Sequence, residues 1–348
     1  MHDWCALLQN HIQAHPELEG QDALKFLHQH FMGPGHLIPD PAAALNRLEK
    51  EWAPLAPNEF ISPYESIGNN LCRLNLTYCK ALGLSTKILV SLFVETANQF
   101  SPNRPGLENA LRQLREQPLV PLTSEAVDAY LEAGCPAVSH SARYRSAYSP
   151  AYRVIDQRFL RYLPLLADID RALSAGESVR IALDGPCASG KSTLGRWLSD
   201  LYRCPLVHMD DFFLLPQIRT DARLMQPGGN VDYERFDREV LTPLVGGESV
   251  CYRPWVCSTG SFAAERTFLP GPVTVIEGSY SLRPDLRDRY THRVWVEADW
   301  PARRARILER GGPDVLARYE QIWIPLENRY FDACQVKCCC DYLISGNE

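Results

Sequence analysis

One short segment of the chain has the composition of a phosphate-binding loop. It fits the pattern G-x-x-x-x-G-K-[ST] at every fixed position, and it reads Gly185-Pro186-Cys187-Ala188-Ser189-Gly190-Lys191-Ser192. In such a loop the backbone N–H groups turn towards phosphate oxygens, and the N-terminus of the following helix adds partial positive charge. Lys191 is expected to contact the β- and γ-phosphates, and Ser192 is expected to offer its hydroxyl to Mg²⁺. Residues 185–193, including Thr193, are therefore predicted to bind a nucleoside triphosphate.

Phosphoryl transfer from such a nucleotide needs acidic side chains close to the loop. Asp210 follows the apolar run 206–209, and Glu277 follows the apolar run 273–276. Parallel sheets bind ligands at the carboxyl ends of their strands, where both acids are expected to lie. We predict that Asp210 orients or deprotonates an acceptor hydroxyl close to the metal, and that Glu277 binds Mg²⁺ directly or through water. Either acid taken alone would more often be an ordinary loop residue or a helix cap.

An arginine-rich stretch offers a third element of the same site. Arg303, Arg306 and Arg310 are spaced three and four residues apart, so they share one face of a helix. We predict that Arg306 and Arg310 belong to a mobile lid that closes on the phosphates. A merely solvated helix face is the alternative.

These residues need a parallel sheet to bring them together, and the second part of the chain has the pattern of one. Short apolar runs that alternate with helical stretches are typical of strands buried on both faces. The predicted strands are Val179 to Leu183, Leu206 to Met209, Val273 to Ile276, Val294 to Val296 and Asp341 to Ile344. An amphipathic helix from Ile155 to Leu173, ending at Gly176, is predicted to precede them. The predicted fold class is α/β, with a P-loop NTPase-type parallel sheet flanked by helices.

The first part of the chain is predicted to be a mostly α-helical domain in which strand-like alternation is scarce. Its candidate helices are Asp3 to Ala14, Gln21 to Phe31, Pro41 to Trp52, Ser85 to Phe100, Gly106 to Glu116 and Ser124 to Ala133. We place the boundary after Arg153. Residues 1–153 then form an accessory domain whose role the sequence does not assign, and residues 154–348 form the P-loop domain.

Two segments of the N-terminal region stand out. Gly33, Pro34 and Gly35 end a predicted helix and could expose His36. The segment 140–153 crowds tyrosine and arginine side chains together, which could contact phosphate or another polar ligand. The favoured interpretation of this second segment is a seam between domains, where tyrosine rings pack and arginines pair with acids.

Several motifs together resemble the uridine kinase and phosphoribulokinase superfamily. In chain order they are the phosphate loop, Asp210-Asp211-Phe212-Phe213, Glu277-Gly278, Arg306-Ile307-x-x-Arg310 and Asp341-Tyr342-Leu343-Ile344. The resemblance covers roughly residues 178 to 345. The layout of the whole chain is also similar to that of bacterial uridine kinase-like proteins with an additional helical domain.

The resemblance implies roles for individual residues. In uridine kinases the Asp of an Asp-x-Phe-Tyr motif activates the sugar hydroxyl, which falls on Asp210, and the Glu that closes a later strand helps to hold Mg²⁺, which falls on Glu277. An Asp that contacts ribose hydroxyls falls on Asp232. The base-recognition segment departs from the family pattern: Tyr252 and Arg253 stand where the family has a Tyr-Asp pair. Both are substrate candidates, but a pyrimidine base loses its expected partners there.

Composition excludes several other classes of protein. The chain has 348 residues with 36 Lys plus Arg against 42 Asp plus Glu, so its formal charge of -6 disfavours a dedicated nucleic-acid binder. No apolar run is long enough to cross a membrane, and no secretory leader is expected. The 12 cysteines favour reduced thiols in a cytoplasm over a disulfide scaffold. A zinc site at Cys334 and residues 338–340 is disfavoured, because adjacent side chains cannot easily converge on one ion.

The sequence therefore predicts a cytoplasmic Mg²⁺/ATP-dependent small-molecule kinase whose acceptor hydroxyl belongs to a nucleoside-like, sugar or polyol substrate. Two alternatives stay open: a kinase of an acceptor or cofactor precursor that already bears phosphate, and a non-catalytic ATP-binding regulator. The expected partner is a small-molecule hydroxyl substrate, with neither nucleic acid nor membrane, and homo-oligomerisation is left open.

Overall fold

The computed structural model describes residues 3–35, 40–117 and 119–347, so His36 lies outside the described residues. The chain divides into two compact units, Met1–Asp170 and Arg171–Glu348. The sequence analysis places the boundary after Arg153 instead. The difference arises because the residues that follow Arg153 continue a strand of the first unit.

The first unit is rich in helices. They are α1 (Asp3–Ala14), α2 (Gly20–Met32), α3 (Pro41–Trp52), α4 (Leu76–Leu82), α5 (Thr86–Gln99), α6 (Arg104–Glu116), α7 (Ser124–Glu132), α8 (Ala142–Tyr148) and α9 (Leu163–Ser174), the last of which crosses the boundary between the units. Side chains that accept backbone N–H groups explain why several of these helices begin where they do. Asp40, for example, accepts the backbone N–H groups of Ala42 and Ala43, with Pro41 in the first turn of α3. The predicted helices at 3–14 and 41–52 are confirmed to the residue.

The first unit also contains an antiparallel sheet that the sequence analysis did not predict. Its strands are β1 (Tyr64–Gly68), β2 (Leu71–Asn75) and β3 (Tyr152–Asp156), in the order β1-β2-β3. β1 and β2 form a hairpin whose turn residues Asn69 and Asn70 have φ of 51° and 59°. Asparagine is among the few residues that adopt this left-handed conformation readily. The amphipathic helix predicted from Ile155 begins only at Leu163, because Ile155 pairs with Cys72 in the sheet.

The second unit is built around a five-stranded parallel sheet. Its strands are β4 (Val179–Asp184), β5 (Leu206–His208), β10 (Val273–Glu277), β11 (His292–Glu297) and β12 (Tyr342–Ser345), in the order β12-β11-β4-β10-β5. Every neighbouring pair is parallel. Two short antiparallel pairs lie outside this sheet and are formed by β6 (Val250–Tyr252) with β9 (Arg266–Phe268) and β7 (Trp255–Val256) with β8 (Ser261–Phe262). The predicted parallel sheet is thus confirmed.

Helices flank this sheet. They are α10 (Lys191–Tyr202), α11 (Asp221–Leu224), α12 (Tyr233–Phe236), α13 (Thr242–Gly246), α14 (Trp300–Arg318) and α15 (Ile324–Cys334). The central strands β4 and β10 are mostly apolar, and the side chains of Ile181, Leu183 and Val275 are fully buried. This is the pattern expected of a sheet covered on both faces. Within the described ranges, no helix is both long and apolar enough to cross a membrane.

Candidate functional site

The phosphate loop connects the central strand β4 to helix α10. The backbone of Gly185 has φ of 139°, and a Cβ atom at this position would lie 2.1 Å from the carbonyl oxygen of Val296 on the neighbouring strand. Only glycine can therefore fill the first position of the loop without displacing β11. Gly190, which immediately precedes α10, also has a positive φ of 103°. The glycines that define the sequence motif are required by the geometry of this connection.

A buried carboxylate anchors the start of the loop. Asp184, the last residue of β4, accepts the N–H groups of Gly185 (2.7 Å) and Leu282 (2.9 Å) and the hydroxyl of Tyr330 (2.8 Å). Burial raises the pKa of Asp184 to about 6, against the effect of these hydrogen bonds. The sequence analysis did not single out Asp184 or Tyr330. Their contact fixes the loop to α15 and is structural in kind.

The last two side chains of the loop, Lys191 and Ser192, are held in place by hydrogen bonds. Lys191 donates its Nζ hydrogens to the carbonyl oxygens of Gly185 (2.7 Å) and Pro186 (2.8 Å), so its ammonium is held inside the loop. The hydroxyl of Ser192 donates to Glu277 Oε2 at 3.1 Å. Mg²⁺ prefers oxygen ligands of this kind, one neutral and one ionised, with water completing its shell. The donor set fits the predicted metal.

Glu277 has a second partner that the sequence analysis missed. His208 Nδ1 lies 2.5 Å from Glu277 Oε1, and the two residues face each other in the register of β5 with β10. This hydrogen bond to a carboxylate raises the pKa of His208. Glu277 is buried, with 5% of its surface exposed. The imidazole therefore fixes the orientation of the predicted metal ligand.

Asp210 lies just beyond the carboxyl end of β5, two residues after His208. Solvent reaches its carboxyl, but protein atoms surround it on most sides, and this desolvation raises its pKa to about 6. The negative charge of Glu277 acts in the same direction, while the ammonium of Lys191 opposes it. A carboxyl poised near neutral pH, beside a phosphate loop, is suited to accept a proton from a hydroxyl group.

The adjacent acid, Asp211, is engaged in the structure of this region. Its Oδ2 accepts a hydrogen bond from Arg266 at 2.7 Å and lies 3.4 Å from the hydroxyl of Tyr252. Its backbone carbonyl accepts a further hydrogen bond from Arg235 at 2.7 Å. The two neighbouring aspartates therefore differ in environment: Asp211 is held by Arg266, whereas the charges of Glu277 and Lys191 act on Asp210.

The predicted substrate residues are placed around the short elements that follow. Asp232 is buried and caps α12 by accepting the backbone N–H of Arg235 at 3.0 Å. Tyr252 is buried beside Phe212, with 5.2 Å between ring centroids. Arg253 is exposed and donates to the carbonyl oxygen of Ala263 at 3.1 Å. Each of these side chains has a structural contact, and their roles in substrate binding stay predictions.

Two arginines of α14 contact carbonyl oxygens of the phosphate loop. Arg303 Nε donates to the carbonyl oxygen of Cys187 at 2.8 Å. Arg306 donates to the carbonyl oxygens of Ala188 (3.1 Å) and Gly346 (2.7 Å). Arg310 lies one turn further along α14 and is exposed. The geometry thus brings Arg303, which the sequence analysis did not select, and Arg306 to the loop.

A buried glutamate of α15 supports the same loop. Glu327 Oε2 accepts the backbone N–H of Cys187 at 2.9 Å, and Glu327 Oε1 lies 2.8 Å from the hydroxyl of Ser279. The guanidinium of Arg303 is 3.9 Å from the same carboxylate. No motif marks Glu327 in the sequence.

We expect Glu327→Ala to weaken nucleotide binding without changing the acceptor site. The substitution leaves the N–H of Cys187 without its acceptor in a buried place, at a cost of about 1–3 kcal/mol. Calorimetric titration with a non-hydrolysable ATP analogue should show a roughly tenfold weaker affinity, and a lower melting temperature should accompany it. Glu320→Ala, at an exposed position of the preceding turn, is the matched control. Equal affinities in the two variants would contradict this role of Glu327.

Strand order and loop together define a P-loop NTPase-type fold in the second unit. The loop follows β4, the central strand of the parallel sheet. When the five strands are numbered 1 to 5 in chain order, their spatial order from the β5 edge is 2-3-1-4-5. Asp210 and Glu277 lie at the carboxyl ends of β5 and β10. This is the place where open parallel sheets bind their ligands. The fold class predicted from the sequence is confirmed.

Known proteins resemble the chain in fold over about half its length. A possible uridine kinase from Bacillus stearothermophilus is 18% identical, with 52% of this chain and 99% of that chain covered at a TM-score of 0.39. D-glycerate 3-kinase from Cryptococcus neoformans var. grubii is 15% identical, with 49% and 87% covered at a TM-score of 0.37. Shikimate kinase from Bacteroides thetaiotaomicron is 16% identical, with 48% and 86% covered at a TM-score of 0.27. No protein-family model matches the chain, and no curated protein matches it in sequence.

Proposed function

We propose that the second unit is a Mg²⁺/ATP-dependent small-molecule kinase that transfers the γ-phosphate of ATP to a hydroxyl group. The observation that carries the proposal is the position of Asp210. Its carboxyl has a pKa of about 6, and the charges of Glu277 and of Lys191 in the phosphate loop both act on it. A protein that only binds ATP has no need of a poised base at this place.

Each residue of the site has a separate proposed role in binding the nucleotide, holding the metal or transferring the proton. The N–H groups of the loop and Lys191 would hold the phosphates, and Ser192 with Glu277 would hold Mg²⁺. Bound Mg²⁺ would neutralise negative charge on the phosphoryl group. Asp210 would take the proton of the acceptor hydroxyl as the new O–P bond forms and ADP leaves. Arg303 and Arg306 would exchange the loop carbonyls that they now contact for phosphate oxygens, while His208 keeps Glu277 in place.

A cavity of about 360 Å³ supports a small molecule as the acceptor. Phe213, Asn230, Cys257 and Trp323 are among the residues that line it, and Phe213 lies only three residues after Asp210. The charge of Asp210 also acts on the Cys257 thiol. This volume is within the range of sites for small ligands, and a nucleoside-like, sugar or polyol acceptor would fit it.

One specific observation favours a second candidate, an acceptor that already carries an anionic group. Arg219 and Arg329 both line the same cavity. Guanidinium groups bind carboxylates and phosphates in paired geometry. A phosphorylated or carboxylated acceptor would meet these charges, whereas a neutral polyol would not use them.

An ADP-release assay separates these candidates. The full-length chain is incubated with ATP, Mg²⁺ and a panel of nucleosides, sugars, polyols, hydroxy acids and nucleoside monophosphates, and Lys191→Ala is the blank. We expect at least one acceptor to stimulate ADP release in the native protein alone. Stimulation by the anionic acceptors, lost in Arg329→Ala, would select the second candidate. Absence of acceptor-dependent release across the whole panel would contradict the kinase.

The pH dependence of turnover should follow the ionisation of Asp210. Only its ionised form can accept a proton, so turnover is expected to be highest above the pKa of about 6 and to fall as the pH decreases through it. At about pH 5 roughly one tenth of such a group is ionised, which predicts a roughly tenfold lower rate. Rates of the native protein are measured at saturating ATP and acceptor between about pH 5 and pH 8. A flat profile over that range would exclude Asp210 as the base.

A further inference from the structure

The first unit contains a connected network of buried polar side chains that phosphoryl transfer does not use. Asp22, Gln29, Arg73 and His140 are all buried, with 8% or less of their surface exposed. They come from α2, from β2 and from the segment before α8, so the fold has brought distant parts of the chain together. Burying charged groups costs several kcal/mol each unless they are paired, and apolar residues of similar size are often as stable. Such a network is more typical of a functional site than of a structural core.

One branch of the network runs from Asp22 to Tyr152. His140 Nδ1 donates to Asp22 Oδ1 at 2.8 Å, so its Nε2 must be the acceptor for the hydroxyl of Tyr152 at 2.7 Å. Burial lowers the pKa of His140 to about 4, which keeps the ring neutral at neutral pH. Ser141 adds two hydrogen bonds to Asp22. This branch fixes the position and the proton of the Tyr152 hydroxyl.

The other branch fixes the guanidinium of Arg73. Its Nε donates to Gln29 Oε1 at 2.8 Å, and its Nη1 donates to Glu65 Oε2 at 3.1 Å. The rings of Phe26 and Tyr152 lie 5.2 Å and 4.9 Å from its central carbon. Its Nη2 is buried and has no hydrogen-bond partner among the described residues. A buried donor without a partner is costly, and a ligand oxygen would satisfy it.

A cavity of about 510 Å³ opens onto this arginine. Arg73 and Glu65 line it together, and Tyr144, Tyr148 and His15 form an aromatic part of its wall, with ring centroids 4.8 to 5.3 Å apart. His15 donates its Nδ1 hydrogen to the carbonyl oxygen of residue 11, which leaves Nε2 as an acceptor. The cavity thus offers acceptors and aromatic faces, and the unpaired Nη2 of Arg73 lies buried in its wall.

A metal ion is the first occupant to consider, because His11, His15 and Glu65 offer ligand atoms within 4.8 Å of one another. Two observations oppose it. His11 is already used on both ring nitrogens, by Glu65 at 2.5 Å and by Arg73 Nη1 at 3.2 Å. The Arg73 guanidinium also lies against Glu65, so a cation already holds the place that the metal would need. A metal would have to displace a buried arginine.

Charge balance indicates a different ligand. Glu65 is ionised, with a pKa of about 2 to which its hydrogen bond with His11 and the charge of Arg73 contribute against burial, and it is partly exposed to the cavity. The positive charge of Arg73 is therefore matched by the negative charge of Glu65. Behind the cavity wall, the negative charge of Asp22 acts on the ammonium of Lys25. A purely anionic or cationic ligand would leave an unmatched charge beside this ion pair, which is costly for the buried partner Arg73. A ligand that carries one charge of each sign would not.

We propose that the first unit binds a small zwitterion of the amino-acid type. Its carboxylate would pair with the Nη2 edge of Arg73, after a side chain of the cavity wall moves aside. Its ammonium would lie between Glu65, His15 Nε2 and the tyrosine faces, where both ion pairing and cation–π attraction act. This site is a second ligand site in the chain, and it does not depend on the proposed kinase activity.

The test is calorimetric titration of the full-length protein with the protein amino acids, each up to about 10 mM, a concentration that detects millimolar affinity. We expect at least one amino acid to bind. Two analogues of the best binder, the amine without its carboxylate and the acid without its ammonium, should each bind at least about tenfold more weakly. Near-ultraviolet circular dichroism should change on binding, because tyrosine rings form the wall.

Variants assign the binding to this cavity. Arg73→Gln removes the centre of the buried network and is expected to unfold the unit, so the informative change is Glu65→Gln. This variant should bind the amino acid at least about tenfold more weakly, whereas the acid analogue, which would pair with Arg73, should bind no more weakly than to the native protein. Glu49→Gln, on the exposed face of α3, is the matched control. Asp210→Asn should bind the amino acid normally, which keeps this test separate from that of the kinase. Absence of binding by every amino acid, equal binding of the single-charge analogues, or binding of Zn²⁺ in their place would overturn the proposal.

Discussion

Asp210→Asn is expected to reduce phosphoryl transfer by at least about 10²-fold while ATP binding is retained, because general-base assistance contributes about 10² to 10⁴. The amide has nearly the same shape as the carboxyl but cannot accept the proton of the acceptor hydroxyl. Desolvation by the surrounding protein atoms and the charge of Glu277 raise the pKa of Asp210 to about 6, and the ammonium of Lys191 acts in the opposite direction. The measurement is turnover at saturating ATP and acceptor, beside calorimetric titration of a non-hydrolysable ATP analogue.

The neighbouring residue supplies a matched control. Asp211→Asn makes the same chemical change one position further on, but it removes a contact with Arg266 and with the Tyr252 hydroxyl. We expect this variant to lose far less than Asp210→Asn in turnover. If the two variants lost similar amounts, or if Asp210→Asn turned over normally, the base would have to be sought elsewhere.

Gly185→Ala is expected to have the second large effect, on binding and on folding together. The new Cβ would lie 2.1 Å from the carbonyl oxygen of Val296, at a backbone φ of 139° that L-residues rarely adopt. The loop or β11 must move to accommodate this atom. The backbone N–H groups of the loop would then no longer point towards one phosphate group. We expect a loss of ATP affinity of at least about 10²-fold, together with a stability loss of several kcal/mol, about 3 or more.

Gly247→Ala separates the clash from the strain of the backbone. Gly247 has φ of 72°, and nothing lies within 4 Å of a Cβ built there. This control should cost only about 1 kcal/mol and leave ATP binding unchanged. Thermal melts and titration with the same ATP analogue compare the two variants. Normal ATP affinity in Gly185→Ala would mean that the loop does not bind phosphate in this geometry.

Much of the phosphate site could be predicted from the sequence because its signals are local. A phosphate loop is one short motif between a strand and a helix, and all five strands of the parallel sheet were visible as short apolar runs. The positions of Asp210 and Glu277 followed from the rule that such strands present their ligands at one edge. In the structure Glu277 pairs with His208 across β10 and β5, and His208 precedes Asp210 by two residues, so the two acids do lie at the same edge of the sheet.

The supporting contacts could not be predicted, because they join residues far apart in the chain. Tyr330 meets Asp184 across 146 residues, and Glu327 meets Cys187 across 140. Neither glutamate nor tyrosine on an amphipathic helix signals such a partner. The contact of Arg303 was missed for a related reason. Of the two arginines selected from the sequence, Arg306 contacts the loop, whereas helical spacing alone could not rank Arg303 above Arg310.

The sheet of the first unit was missed because its strands give weak patterns. The five residues of β2 are almost all buried, so no alternation marks the strand, and its partner β3 lies far along the chain. The hairpin turn has Asn-Asn rather than the stronger Asn-Gly signal. The crowded segment 140–153 did stand out, and in the structure it supplies His140, Tyr144 and Tyr152 to the network around Arg73.

The most direct test of the central claim follows the γ-phosphate itself. The protein is incubated with Mg²⁺ and ATP labelled with ¹⁸O in the γ-phosphate, together with the acceptor found in the ADP-release assay, and the products are identified by mass spectrometry. The account predicts that the labelled phosphoryl group appears as an ester on a hydroxyl of the acceptor, and that Lys191→Ala and Asp210→Asn abolish or strongly reduce this product. Label found only in inorganic phosphate or on the protein, or a labelled ester formed equally well by both variants, would contradict it.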